Sequence, residues 1–192
     1  MIHIDTTFDI RKPPNELDIN IADTNILFKK INLLGATSFY YKSEQFEQHP
    51  SYFLKLIKAY QQYNILQREI IILNILLKYD QHFPKLIASN NQYIITEYIG
   101  PVLNKNNIFS DINNQANIIL DILAMEHIVH SDIKAPELLV KDNILYLVDF
   151  GWAILDGDIT CGAKISDKLK PGPKATDDKI QIFKIIDSYL SK

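Results

Sequence analysis

Hydrophobic positions follow two rhythms along this chain. Short apolar or alternating runs at 26–34, 38–42, 51–57, 83–88 and 92–97 predict strands, separated by turn-forming segments such as Gly35-Ala36-Thr37 and Ser89-Asn90-Asn91. Three longer stretches repeat at helical spacing. Over 60–78, Ile65, Leu66, Ile72, Leu73 and Leu76 share one face. From Ser110, read as an N-cap, a second helix carries Ile112, Ala116, Ile119, Leu120 and Leu123. A third, over 177–190, carries a broad stripe of Ile182, Phe183, Ile185, Ile186, Tyr189 and Leu190. Between the last two helices lies a hairpin: apolar runs at 138–140 and 144–148 around Lys141-Asp142-Asn143. Residues 1–24 resist placement; Ile2, Ile4, Phe8 and Ile10 hint at a strand that Pro13-Pro14 stops.

Composition narrows the class. The 192 residues, 47% hydrophobic and 22% charged, suit one substantial globular domain or two small lobes. A net charge of −3 gives no general reason to expect nucleic acid. The single cysteine, Cys161, excludes an intramolecular disulfide and fits a reducing compartment. Apolar runs fall short of the roughly 18 residues of a membrane span, and the N-terminus lacks signal-peptide character. A soluble cytoplasmic protein is the expectation. Lys164, Lys168, Lys170 and Lys174 form a diffuse basic patch, read as solvated surface.

Chemistry concentrates in residues 126–153, EHIVHSDIKAPELLVKDNILYLVDFGWA. The hairpin fixes the ends of two loops near each other, so that Asp132 before it and Asp149 after it can converge on one point. Phosphoryl transfer uses that arrangement: one group orients the attacking hydroxyl and another holds the magnesium that bridges the phosphates. Elsewhere, two charged residues sit where burial is costly. Lys55 lies inside the apolar run SYFLKLI, and Glu69 in the middle of the first helix's stripe.

The order His130-Ser131-Asp132-Ile133-Lys134, then Glu137, then Asp149-Phe150-Gly151 resembles the H-R-D-L-K-x-x-N and D-F-G loops of the protein-kinase superfamily. The resemblance implies an α+β, two-lobed protein-kinase-like fold: a β-rich N-lobe at 25–99, a truncated, mainly helical C-lobe at 100–192, and an N-terminal extension at 1–24. Gly100-Pro101 would mark the change of lobe. It further implies an ATP- and Mg²⁺-dependent kinase moving the γ-phosphoryl group to a hydroxyl. A serine/threonine protein kinase leads, with a sugar or other small-molecule acceptor behind it. By carry-over, Asp132 orients the acceptor and takes its proton, Lys134 neutralises the transferring phosphoryl, and Asp149 chelates magnesium. Gly35 belongs to the phosphate lid. Lys55, with Lys58 as competing candidate, pairs with Glu69 to address the phosphates. Thr96 is the gatekeeper, the backbone of Glu97 and Ile99 meets the adenine edge, and Asp177 or Asp178 braces the catalytic loop.

Three departures from the family pattern carry information. Ser131 replaces the arginine that grips a phosphorylated activation loop, which argues against that switch. Glu137 occupies the place of the metal-binding asparagine; it is a competent hard-oxygen ligand but adds negative charge. A pseudokinase, keeping the fold as a nucleotide-binding scaffold or regulatory subunit, is therefore the rival reading. Finally, the short C-lobe is similar to those of the small kinase of the KEOPS complex and of bacterial lipopolysaccharide and sugar kinases. It leaves the last helix's stripe available to a protein partner or a homodimer.

Overall fold

The computed structural model describes residues 3–4, 12–21, 24–33, 38–44, 50–58, 63–158 and 177–191. Gly35, Cys161 and the lysines at 164, 168, 170 and 174 lie outside the described residues. The chain divides into two compact units, residues 1–66 with 85–98, and residues 67–84 with 99–192.

The first unit is built on period-two alternation. Strands β1 (His3–Ile4), β2 (Glu16–Ile21), β3 (Thr24–Ile31), β4 (Ser38–Ser43), β5 (Tyr52–Ile57), β6 (Leu86–Ser89) and β7 (Tyr93–Glu97) form, among the described residues, an antiparallel seven-stranded sheet in the order β1-β2-β3-β4-β5-β7-β6. Strand β2 occupies the stretch the sequence pattern does not place. Its Leu17, Ile19 and Ile21 point inward and pack with Ile26, Phe28, Tyr41, Leu54, Leu56, Tyr93 and Ile95. Each such side chain removed from water contributes about 1.5–3 kcal/mol. Tyr41 is wholly buried, and burial pushes its phenol up to about 12; its hydroxyl donates to the Pro14 carbonyl oxygen at 2.9 Å. Strand β6 begins at Leu86, later than the apolar run at 83–88 suggests. Phe83 instead packs edge-on to Tyr79 in the second unit, and Pro84 has no N–H to give a sheet. Asn90 closes the β6–β7 turn, its Oδ1 accepting the N–H groups of Gln92 at 2.8 Å and Tyr93 at 3.0 Å.

Helix α1 (Tyr63–Leu76) follows β5, and its C-terminal part belongs to the second unit. Also in that unit, α2 (Ile112–Met125) buries Ile112, Ala116, Ile119 and Leu123 of the stripe its spacing predicts, with Leu120 half-buried at its edge. Its cap is Asp111, not Ser110, and the cap makes no side-chain hydrogen bond. Strands β9 (Leu138–Lys141) and β10 (Ile144–Leu147) pair as the hairpin. Asp142 and Asn143 both adopt positive φ (53° and 58°), the geometry of a tight two-residue turn. Gln115 fastens this hairpin to α2: its Nε2 donates to Asn143 O at 3.0 Å and its Oε1 accepts from Leu145 N at 2.9 Å. Gly100 runs so close to β9 that a Cβ there would sit 2.6 Å from Val140 O. Strand β8 (Ile128–Val129) pairs with β11 (Ile154–Leu155), which places the chain before His130 beside the chain after Gly151. Helix α3 (Asp178–Leu190) buries Ile182 and Ile186, while Leu190 at its end is exposed.

Among the described residues, no helix is long and apolar enough to cross a membrane.

Candidate active site

The loop at 130–134 is held in place from beneath. Asp178, the first residue of α3, accepts the backbone N–H of His130 at 2.6 Å and of Ser131 at 3.0 Å through its two carboxylate oxygens. Burial pushes the Asp178 carboxyl up, and the two donated bonds pull the other way. Asp177 has a different task, capping α3 by accepting Ile180 N at 3.1 Å. Of the two aspartates the sequence leaves open, Asp178 is thus the one that touches the loop. Ser131 is bent to φ 68°, a conformation that non-glycine residues adopt only under such constraint.

His130 is completely buried, and burial drives its imidazole down, against the Val148 carbonyl and the charges of Asp178, Asp149 and Asp132, which raise it. Its Nε2 donates to Val148 O at 3.0 Å, while Nδ1 faces the backbone N–H of Asp132 at 3.4 Å. One ring therefore spans from the first loop to the chain entering the second. Phe150 packs against it with ring centroids 4.8 Å apart, and against Phe83 at 6.0 Å. These contacts fix Phe150 and His130 as packing and bracing groups. Asp149, just before Phe150, sits at φ 67° in the left-handed region and opens a short 3-10 turn over Phe150–Trp152. Two strained residues, Ser131 and Asp149, thus flank the point where the loops meet.

Polar groups converge there. Lys134 Nζ donates to Asp132 Oδ2 at 2.6 Å; the lysine is half-exposed and the aspartate side chain only 15% exposed. Desolvation lowers the Lys134 ammonium's affinity for its proton. The bond and charge of Asp132, aided by Glu137 and Asp149, outweigh it, so the net shift is upward. Glu137 ends the 3-10 turn Ala135–Glu137, anchored when its N–H donates to Lys134 O at 3.1 Å and its carbonyl accepts Val148 N at 3.0 Å. Burial first, then the Asp149 charge, pushes its carboxyl up to about 7. Its Oε2 is buried with no hydrogen-bond partner among the described residues.

An acceptor oxygen buried without a donor, beside a second carboxylate, is chemically suited to a hard divalent cation. Glu137 and Asp149 fit a magnesium ion on that ground. Among the described residues, no group of three or more His, Cys, Asp or Glu side chains could hold a metal unaided. Magnesium that also binds substrate phosphates needs only one or two carboxylates.

The second unit therefore brings Asp132, Lys134, Glu137 and Asp149 into one electrostatic neighbourhood. Glu69 and Ile99, both buried, belong to this unit, and Lys55, Thr96 and Glu97 to the first. Lys55 is 5% exposed at the centre of β5, directly across from Tyr40 and Ile94. Lys58 lies beyond the strand's end, its ammonium 5.2 Å from the Phe39 ring centroid. The Glu97 N–H donates to Lys85 O at 3.1 Å. One contact that sequence reasoning does not reach is Arg68 over the Trp152 ring, 5.2 Å from its centroid, which ties α1 to the chain after Gly151. No spacing signal marks it, because its partners are far apart in the chain.

The family model for the RIO domain matches residues 19–156, well over half the chain. A search of curated proteins finds no match.

Proposed function

The chain belongs to the RIO domain family, atypical kinase-like ATP-binding phosphotransferases with a two-lobed α+β fold, and from that premise we propose that it is a protein serine/threonine kinase. The observation that carries this reading is the Asp132–Lys134 pair standing beside Asp149 and Glu137 on a loop braced by Asp178.

In this reading Asp132 orients the acceptor hydroxyl and takes its proton as the oxygen attacks the γ-phosphorus. The bond from that phosphorus to the β–γ bridging oxygen breaks, and ADP leaves with the electron pair. Lys134 is already hydrogen-bonded to Asp132 and turns its ammonium to the equatorial oxygens, where negative charge gathers. Asp149 and Glu137 would hold magnesium, which when bound neutralises the phosphates. Lys55 addresses the phosphates. The carbonyl of Glu97, whose N–H is already given to Lys85, and the backbone of Ile99 meet the base edge.

The test uses purified protein, Mg²⁺ and γ-labelled ATP. Label should pass to a serine- or threonine-bearing protein acceptor and vanish in Asp132→Ala, with ATP binding retained. Transfer only to sugars or other small hydroxyl compounds would move the acceptor class. Binding without transfer in the parent would favour the nucleotide-binding scaffold, the reading supported by the upward shift of Glu137. In that case Glu137→Asn, which restores the family's usual metal ligand, should switch transfer on.

A further inference from the structure

Helix α1 turns one face inward, where Ile65, Leu66, Ile72, Leu73 and Leu76 are at most 5% exposed. Residues 68 and 69 fall on that same face, each three or four positions from both Ile65 and Ile72. Both are charged and both are buried: Arg68 is 3% exposed and Glu69 6%. The kinase resemblance gives Glu69 a task, as the expected partner of Lys55, and leaves Arg68 unexplained. A guanidinium taken this far out of water is costly unless the protein receives its charge, whereas an apolar side chain would fill the space without that cost.

The Arg68 guanidinium stands over the Trp152 ring, 5.2 Å from its centroid and within cation–π range. Both residues belong to the second unit. Trp152 ends the 3-10 turn that Asp149 opens at φ 67°. A non-glycine residue keeps such a backbone only where its surroundings hold it. Restraints on this turn come from three sides. His130 and Phe83 pack on Phe150 at its start. Ala153 N–H donates to Phe150 O at 3.0 Å, and the pairing of β11 with β8 fixes the chain that follows. The third restraint, Arg68 on Trp152, comes from α1.

We propose that Arg68 is a positioning residue for the metal carboxylate: by holding Trp152 it fixes the turn that sets Asp149 for magnesium. The inference rests on the reading above, in which Asp149 holds that ion. Arginine suits the task because its planar guanidinium pairs with an aromatic face, and in a desolvated setting that attraction strengthens. Arg68 is also the neighbour of Glu69. One turn of α1 thus serves both the expected lysine pair and the metal loop.

The test measures equilibrium ATP binding to the full chain, with saturating Mg²⁺ and again in EDTA. It compares the parent with Arg68→Met, Arg68→Lys, Trp152→Leu, Trp152→Phe and the Arg68→Met/Trp152→Leu double variant. Methionine keeps the apolar stem and removes the charge; a thermal melt verifies that each variant folds. Trp152 is the chain's only tryptophan, so acrylamide quenching of its emission in the ligand-free protein reports how firmly the ring is held. Arg68→Met should weaken binding with Mg²⁺ by about tenfold, leave binding in EDTA unchanged and make Trp152 easier to quench. Trp152→Leu should match that loss, and the double variant should lose no more than either single variant. Arg68→Lys and Trp152→Phe, which keep a cation and a ring, should fall between the parent and those variants. Equal weakening with and without Mg²⁺ would mean that the pair only supports the fold, and would overturn the proposal. So would losses that multiply in the double variant, or a more easily quenched Trp152 with Mg²⁺-dependent binding untouched. Those three results leave the magnesium reading standing, whereas a parent whose ATP affinity does not rise with Mg²⁺ overturns that reading and the proposal with it.

Discussion

Replacing Glu137 with glutamine should stabilise the metal-free protein, and only at neutral and alkaline pH. The carboxyl's ordinary value is 4.5, and in the folded chain it is pushed up to about 7 by burial and by the Asp149 charge. Between those values the folded state binds more protons than the unfolded chain, so stability falls as pH rises through that window. Below pH 4.5 the penalty is absent; above pH 7 it is complete. At about 1.4 kcal/mol per pH unit the full effect would be about 3.5 kcal/mol, but the side chain is only partly buried. Solvent screening brings the expected penalty to about 1–2 kcal/mol. Glutamine carries no charge at any pH and has nearly the same shape, and its amide can donate to the neighbouring carboxylates. The assay is urea unfolding in a chelating buffer at pH 5, 6, 7 and 8, comparing Glu137→Gln with the parent. The difference should be smallest at pH 5, about a quarter of its full size, and grow to about 1–2 kcal/mol by pH 8. A difference that stays constant across the series, or that runs the other way, refutes the claim that an uncompensated buried carboxylate sits there.

Two further substitutions probe the scaffold. Asp178→Ala removes both acceptors for the His130 and Ser131 N–H groups; unfolding should be easier by about 2–4 kcal/mol, and phosphoryl transfer should fall even at temperatures where the variant is folded. Asp177→Ala, which loses only the α3 cap, should cost about 1 kcal/mol and leave transfer intact, so equal effects of the two would contradict the assignment. Gly100→Ala forces a methyl group against Val140 O, 2.6 Å from where its carbon would sit, and should destabilise by about 1–3 kcal/mol in the same denaturation assay.

How much of this was legible beforehand differs between the two units, for physical reasons. The hairpin at 138–148 and the helix at 112–125 are strongly periodic, and their side chains pack locally, so pattern alone locates them. The convergence of Asp132 with Asp149 follows from the hairpin, because strands of matched length return the chain to its start. Strand β2 was equally periodic, with Leu17, Ile19 and Ile21 alternating, yet it follows two prolines and, among the described residues, pairs with its neighbour β3 and the short β1. The choice between Asp177 and Asp178 was beyond any pattern: adjacent residues at a helix start face different directions, and one caps while the other braces.

The stacked rings of Tyr40 and Phe53 show where sequence reasoning had the means but not the reference point. Period two places Phe53 on the same side as Lys55 as soon as β5 is recognised. Only the pairing of β4 with β5 adds Tyr40, since a shift of one residue would turn its ring into the core and bring Tyr41 out. Register is fixed here by the core itself, through Tyr41, Leu54 and Phe28. The same packing that stabilises the sheet therefore sets which aromatic residues, Tyr40 and Phe53, stand next to the buried Lys55.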